Sequence, residues 1–89
     1  MAIPSVPAEA LREAMERFDR ELRPTANWVN WEQDRRHRYA IEDDGRRYPV
    51  KQIISMATRM RVRDFSGGSE PGDANRYVTS RGFAIVRLR

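Results

Sequence analysis

The triplet Asp43-Asp44-Gly45 stands between two short alternating segments, and it constrains the fold of this chain more than any other feature. An Asp-Gly pair supplies the positive φ angles of a two-residue hairpin turn. The segments Arg38-Tyr39-Ala40-Ile41-Glu42 and Arg46-Arg47-Tyr48 are therefore expected to pair antiparallel, within a hairpin over residues 37–48. Alternation along the first segment sends Tyr39 and Ile41 to the same side. Pro49 lacks the N–H that a ladder requires, so it stops the hairpin and opens a helix.

Helical periodicity flanks the hairpin. Leu11, Met15, Phe18 and Leu22 recur at i, i+4, i+7 and i+11, which places them on one face of a helix predicted over 7–22. Ser5 is the candidate cap, Pro7 lies in the first turn, and Pro24 ends the helix. Val50, Ile53, Ile54 and Ala57 form the apolar stripe of a second helix, over 50–60 if Met60 extends it. A helix-start pattern at Ser69 or Glu70 before Pro71, with Ala74, Tyr77 and Val78 as its stripe, predicts a third over 71–81. Gly82 sits at the position of a C-terminal cap. Phe83 to Leu88 then reads as a strand over 83–88, and its near-continuous apolar run suggests a central or well-covered position.

The resulting order is α-β-β-α-α-β. The expected architecture is a single small α+β domain, a three-stranded sheet packed by helices, with a winged-helix-like arrangement as one way of placing them. Eighty-nine residues bury one simple core and leave little for a deep cavity. With no cysteine, neither disulfides nor thiolate metal sites can contribute. No apolar run approaches a membrane span, and residues 1–5 carry neither a basic segment nor a signal core, so the expected location is cytoplasmic.

The charge is unevenly distributed. Residues 1–34 hold four Arg and seven acids (4 − 7 = −3), whereas residues 35–89 hold thirteen Arg and Lys and six acids (13 − 6 = +7). A basic region of this kind attracts polyanions by counterion release. The sixteen arginines against one lysine also fit a GC-rich coding bias, in which case the charge is simply a solvated surface.

Catalytic chemistry finds little support. His37 is the only histidine, too few for a zinc site or a two-histidine motif, and no nucleophile elbow accompanies it. Asp43 and Asp44 are explained by the turn they form rather than as a metal-binding carboxylate pair. Ser66-Gly67-Gly68-Ser69 lacks the lysine and spacing of a P-loop. A helix starting after it could hold one phosphate on its N–H groups, and a plain structural turn is the competing reading. The chain is thus expected to be non-catalytic and to need no cofactor or metal.

The candidate binding residues are basic and aromatic. Arg35, Arg36 and Arg38 precede the hairpin turn, Arg46 and Arg47 follow it, Lys51 lies near the start of the second helix, and Arg76 lies on the third. Arginines on a hairpin beside a helix can dock on phosphate, and arginine also reads guanine through two hydrogen bonds. Trp28 and Trp31 sit in an otherwise polar stretch. At least one is expected to plug the core, and an exposed one, or Tyr48, could stack on a base.

Four motifs bring a resemblance. Tyr48-Pro49-Val50-Lys51-Gln52-Ile53-Ile54, Asp64-Phe65-Ser66-Gly67-Gly68, Asn75-Arg76-Tyr77 and Gly82-Phe83-Ala84-Ile85-Val86 resemble a small N-terminal domain of HNH-endonuclease and modification-dependent (Mcr-like) restriction proteins. The match covers about the last half of the chain, and in Asn75-Arg76-Tyr77-Val78 one apolar position of the third helix differs in type from the family's pattern. The resemblance implies an accessory module that helps a nuclease engage DNA, including modified DNA, and that supplies no catalysis itself. It adds Lys51, Ser66, Gly67, Gly68, Asn75 and Arg76 as positions of interest. The expected partner is double-stranded DNA. The alternative is a protein-interaction or inhibitor module that docks on a nuclease or ATPase.

Overall fold

The computed structural model describes residues 3–68, 70 and 72–89. The order α-β-β-α-α-β holds: α1 (Ala8–Arg17), β1 (Tyr39–Asp43), β2 (Arg46–Pro49), α2 (Val50–Thr58), α3 (Ala74–Thr79) and β3 (Ala84–Arg87). The protein is a small α+β fold with a three-stranded antiparallel sheet in the order β2-β1-β3. Asp44 and Gly45 turn the hairpin with φ of 52° and 77°, the left-handed pair that the sequence predicts, and leave Asp43 opposite Arg46.

The helical stripes are the core. Leu11, Met15 and Phe18 are buried, as are Val50, Ile53 and Ile54 of α2 and Ala74, Tyr77 and Val78 of α3. α1 packs on α2, and α3 packs on α2 and β3. Each fully buried Leu, Ile or Phe contributes about 1.5–3 kcal/mol relative to exposure, so these three stripes hold the helices together. Cross-strand partners share a face, so Ile41, Tyr48 and Ile85 lie on one side of the sheet and Ala40, Pro49 and Val86 on the other. The first face meets α1 and the turn that follows it, where Arg12 reaches Asp43 and the Tyr48 hydroxyl reaches Asp19.

Several boundaries differ from expectation. Helix α1 is regular only to Arg17. The next turn, Phe18–Leu22, widens to i→i+5 bonding and closes with Arg23 N–H donating to the Phe18 carbonyl at 2.8 Å. Ser5 is not a cap, since Pro7 takes that position without a side-chain bond. The Ser5 hydroxyl instead accepts from Arg81 Nη2 at 3.3 Å. Around it, residues 4–6 form a strap on α3. Tyr77 Oη donates to the Pro4 carbonyl and accepts from Val6 N–H, while Arg81 Nε donates to the Val6 carbonyl and stacks over the Tyr77 ring.

Helix α2 stops at Thr58, short of Met60, because Arg59 turns left-handed at φ 65°. The Thr58 and Ser55 hydroxyls then bond the carbonyls of Ile54 and Met60. Helix α3 begins at Ala74, after Asp73, rather than at residue 71. The predicted start at Ser69 and Pro71 falls outside the described residues. The expected central strand is an edge. β1 holds the middle of the sheet with Ala40 and Ile41 both fully buried, whereas Ile85 and Val86 of β3 are half-buried. With only three strands there is one interior position, and the hairpin turn assigns it to β1 once β3 pairs on its free side.

Candidate nucleic-acid interface

Only some of the hairpin arginines share a surface. Arg46 and Arg47 are neighbours on a strand and point to opposite faces. Each meets carboxylates. Arg46 reaches Asp19 at 3.2 Å, and Arg47 reaches Glu32 and Glu42 at 3.6 Å each. Arg36 folds back on Asp34, with Nη2 to Oδ2 at 2.7 Å, and these bonds hold the Asp34 carboxyl well below the usual range. Arg35, Arg38, Lys51 and Arg76 enter no ion pair among the described residues.

Asp19 organises the paired side. It accepts from Arg23 Nε at 2.6 Å and from the Tyr48 hydroxyl at 2.8 Å, besides its contact with Arg46. Burial pushes the Asp19 carboxyl up, but the Tyr48 and Arg23 hydrogen bonds and the Arg23 and Arg46 charges outweigh it and hold it low. Burial, together with the hydrogen bond to Asp19 and its charge, pushes the Tyr48 phenol up to about 12.

The proposed stacking aromatics separate cleanly. Trp31 is 4% exposed and Tyr48 is 6% exposed, both edge-on to the fully buried Phe18. Neither ring offers a face to a base without opening the core, so both are packing residues. Trp28 also meets Phe18 edge-on, at 5.4 Å, but remains half-buried.

Seven of the candidate residues meet in one pocket of about 660 Å³. The opening turn of α2 contributes Val50, Lys51 and Gln52. The approach to β1 contributes Arg36, His37, Arg38 and Tyr39. Trp28 and Val62 add apolar surface, and Gly67, Gly68 and Asn75 complete the lining. No Asp or Glu lines it among the described residues. Arg35, Arg46, Arg47, Ser66 and Arg76 lie outside it, as do Trp31 and Tyr48.

Local chemistry explains the glycine loop. Phe65 is buried and anchors it, with the Lys51 ammonium 5.3 Å from the centre of its ring. The Ser66 and Gly68 carbonyls accept from Ala74 and Asn75 N–H, at 2.7 and 3.1 Å. The first N–H groups of α3 are therefore occupied by the loop itself, and the phosphate-cradle reading of Ser66–Gly68 gives way to the structural turn. Gly68 has no room for a side chain, because a Cβ there would lie 2.7 Å from Asp73 Oδ2. A Cβ on Gly67 would make an ordinary 3.6 Å contact with the Lys51 stem.

The uncapped helix start beside the pocket belongs to α2. Pro49 is its cap residue and provides no side-chain bond, and the first N–H groups of any helix have no partner inside it. Asn75 adds a second feature. It is 3% exposed, and its Nδ2 has no hydrogen-bond partner. His37 lies between Trp28 and Trp31, at 5.8 and 5.3 Å between ring centres. Burial holds its pKa below 6.5, against the Asp34 carboxylate and with the Arg36 and Arg89 charges, so the imidazole is neutral at pH 7.

Gln52 and Val62 were not singled out in the sequence as binding residues. The signal for Gln52 was its position beside Lys51 on the first turn of α2, whereas nothing local marks Val62. No group of three or more His, Asp or Glu suited to a metal occurs among the described residues, and no described helix is long and apolar enough to cross a membrane. No protein-family model, curated protein or solved structure matches this chain, so the likeness to the restriction-protein domain rests on the four motifs alone.

Proposed function

We propose that this chain is a non-catalytic module that binds duplex DNA through the face around the pocket, within a restriction or phage-defence system. What supports the reading is the lining itself. Arg38 and Lys51 stand in one concavity without an acidic neighbour in its walls, next to the uncapped start of α2. Fixed positive charge and free helix N–H groups are the elements that hold phosphate. Arg36 adds a third cation, whose charge is offset by Asp34. The motif resemblance supports the assignment to a restriction-type system and extends the proposal to modified DNA.

The test is fluorescence anisotropy on plain, methylated and hydroxymethylated duplexes across a salt titration. The expected result is binding that weakens steeply with salt, with a log–log slope of about −2 to −3 for the two or three phosphates these cations can neutralise. Binding indifferent to salt, or none to any duplex at low salt, would refute it. Recovery of a protein partner after nuclease treatment, with no DNA binding, would establish the protein-docking alternative instead.

A further inference from the structure

We propose that the pocket receives a single nucleotide everted from the DNA strand, with the amides of Asn75 and Gln52 meeting its base edge and Arg38 and Lys51 holding its phosphate. This rests on the DNA-binding reading above and specifies what the site takes.

The buried amide is the starting point. An unpartnered buried donor costs about 1–3 kcal/mol, and native proteins leave few of them. Asn75 Nδ2 is such a donor, at a side chain that lines the one cavity where the candidate residues converge. Its backbone N–H is already committed to the Gly68 carbonyl, so the side chain is held at a fixed place in the wall. A second carboxamide, Gln52, lines the same cavity. A carboxamide offers a donor and an acceptor side by side, which complements the paired acceptor and donor on the edge of a base. A bare phosphate presents only acceptors and would use only the donors of these amides.

The rest of the lining suits the remaining parts of a nucleotide. Trp28, Tyr39 and Val62 give apolar surface of the kind a planar ring buries, and the neutral imidazole of His37 adds no charge there. Arg38 and Lys51 supply the charge for the phosphate. A volume of about 660 Å³ lies in the range of pockets that enclose ligands of this size. A base inside an intact duplex cannot reach such a cavity, so the occupant must leave the stack.

The experiment compares fully paired duplexes with otherwise identical duplexes that carry one central mismatch, which lowers the cost of eversion. Anisotropy should show about tenfold tighter binding to at least one mismatched duplex, the equivalent of about 1.4 kcal/mol of unpairing relieved. The Asn75 side-chain amide and the His37 imidazole should shift in NMR spectra of that complex. Asn75→Asp should bring the mismatch preference to within about twofold, and Gln52→Ala, which removes a half-buried side chain, should reduce it even if the first variant folds poorly. Equal affinity for paired and mismatched duplexes with an unmoved Asn75 amide overturns the eversion proposal and leaves DNA binding standing. Absence of binding to every duplex overturns both. Free deoxynucleoside 5′-monophosphates serve as a further arm. If they shift Asn75 while mismatched duplexes do not, the pocket is a free-nucleotide site and the proposal fails.

Discussion

The Tyr48 hydroxyl donates to Asp19 at 2.8 Å, joining strand β2 to the widened turn that follows α1 across a sequence separation of 29 residues. The bond depends on both local departures from regularity. The i→i+5 turn carries Asp19, and the two-residue hairpin sets Tyr48 opposite Ile41. Tyr48→Phe should therefore cost about 1.5–3 kcal/mol, the typical value of a hydrogen bond to a charged partner. It should also change the alkaline limb. The folded-state phenol is raised from 10.0 to about 12, so its stabilisation is complete below pH 10 and disappears as pH climbs through about 12. Urea denaturation from pH 8 to 12 should show this loss in the parent protein and not in Tyr48→Phe.

The same carboxylate sets an acid limb. The Asp19 pKa is held below its ordinary 3.8, so the stabilisation it gives is present above that value and is lost as pH falls through the folded-state pKa. Asp19→Asn should flatten the decline of stability below pH 4 measured by urea midpoints. Arg46→Ala should flatten it only in part, because the hydrogen bonds from Tyr48 and Arg23 remain.

Adjacent glycines should respond unequally. Gly68→Ala forces its Cβ against Asp73 Oδ2, which also accepts from Glu70 N–H, so the loop must release that bond at a cost of about 1 kcal/mol. Gly67→Ala meets only the Lys51 stem at contact distance and should fall within about 0.5 kcal/mol of the parent. Thermal or urea denaturation of the two single variants decides the matter, and equal losses would mean the loop is not pinned where the Ser66 and Gly68 carbonyls place it.

The basic residues divide into two groups in a binding assay. Arg38→Ala and Lys51→Ala should each reduce the magnitude of the salt slope by about 1, the signature of one lost phosphate contact. Arg46→Ala and Arg47→Ala should leave it nearly unchanged, since those guanidinium groups lie outside the pocket and already face carboxylates. Anisotropy at four or more salt concentrations per variant separates the groups.

His37 gives a direct reporter, because the chain has no other histidine. Its pKa is depressed in the folded state, so its contribution to stability is present above 6.5 and is lost as pH falls through the folded value. Protonation also adds a charge to the pocket wall. Affinity for DNA should therefore rise as pH drops below 6.5, and bound DNA should raise the His37 pKa measured by NMR titration. A pKa that is the same in the presence and absence of DNA would remove His37 from the binding surface.

Much of the fold was legible because it is written at short range. The spacing of Leu11, Met15 and Phe18 and the Asp44-Gly45 turn each act through neighbours a few residues apart. What the sequence did not disclose is set at long range. β3 reads as an interior strand by composition, and only pairing with β1 makes it an edge. The hairpin arginines read as unpaired until the fold brings Asp19, Glu32 and Glu42 to Arg46 and Arg47. The glycine loop reads as a phosphate cradle until its carbonyls are seen bonded to the start of α3. Conversely, Lys51, Gly67, Gly68 and Asn75 were picked from separate motifs, and the packing of α2, the loop and α3 is what draws them to one cavity.

The strap formed by residues 4–6 gives the pocket a distant handle. Tyr77, which grips it together with Arg81, shares α3 with Asn75. An affinity tag fused ahead of Pro4, or a protease cut behind Val6, would loosen that grip and be felt at a wall it never touches. Fusions intended to preserve binding are better attached elsewhere on the molecule.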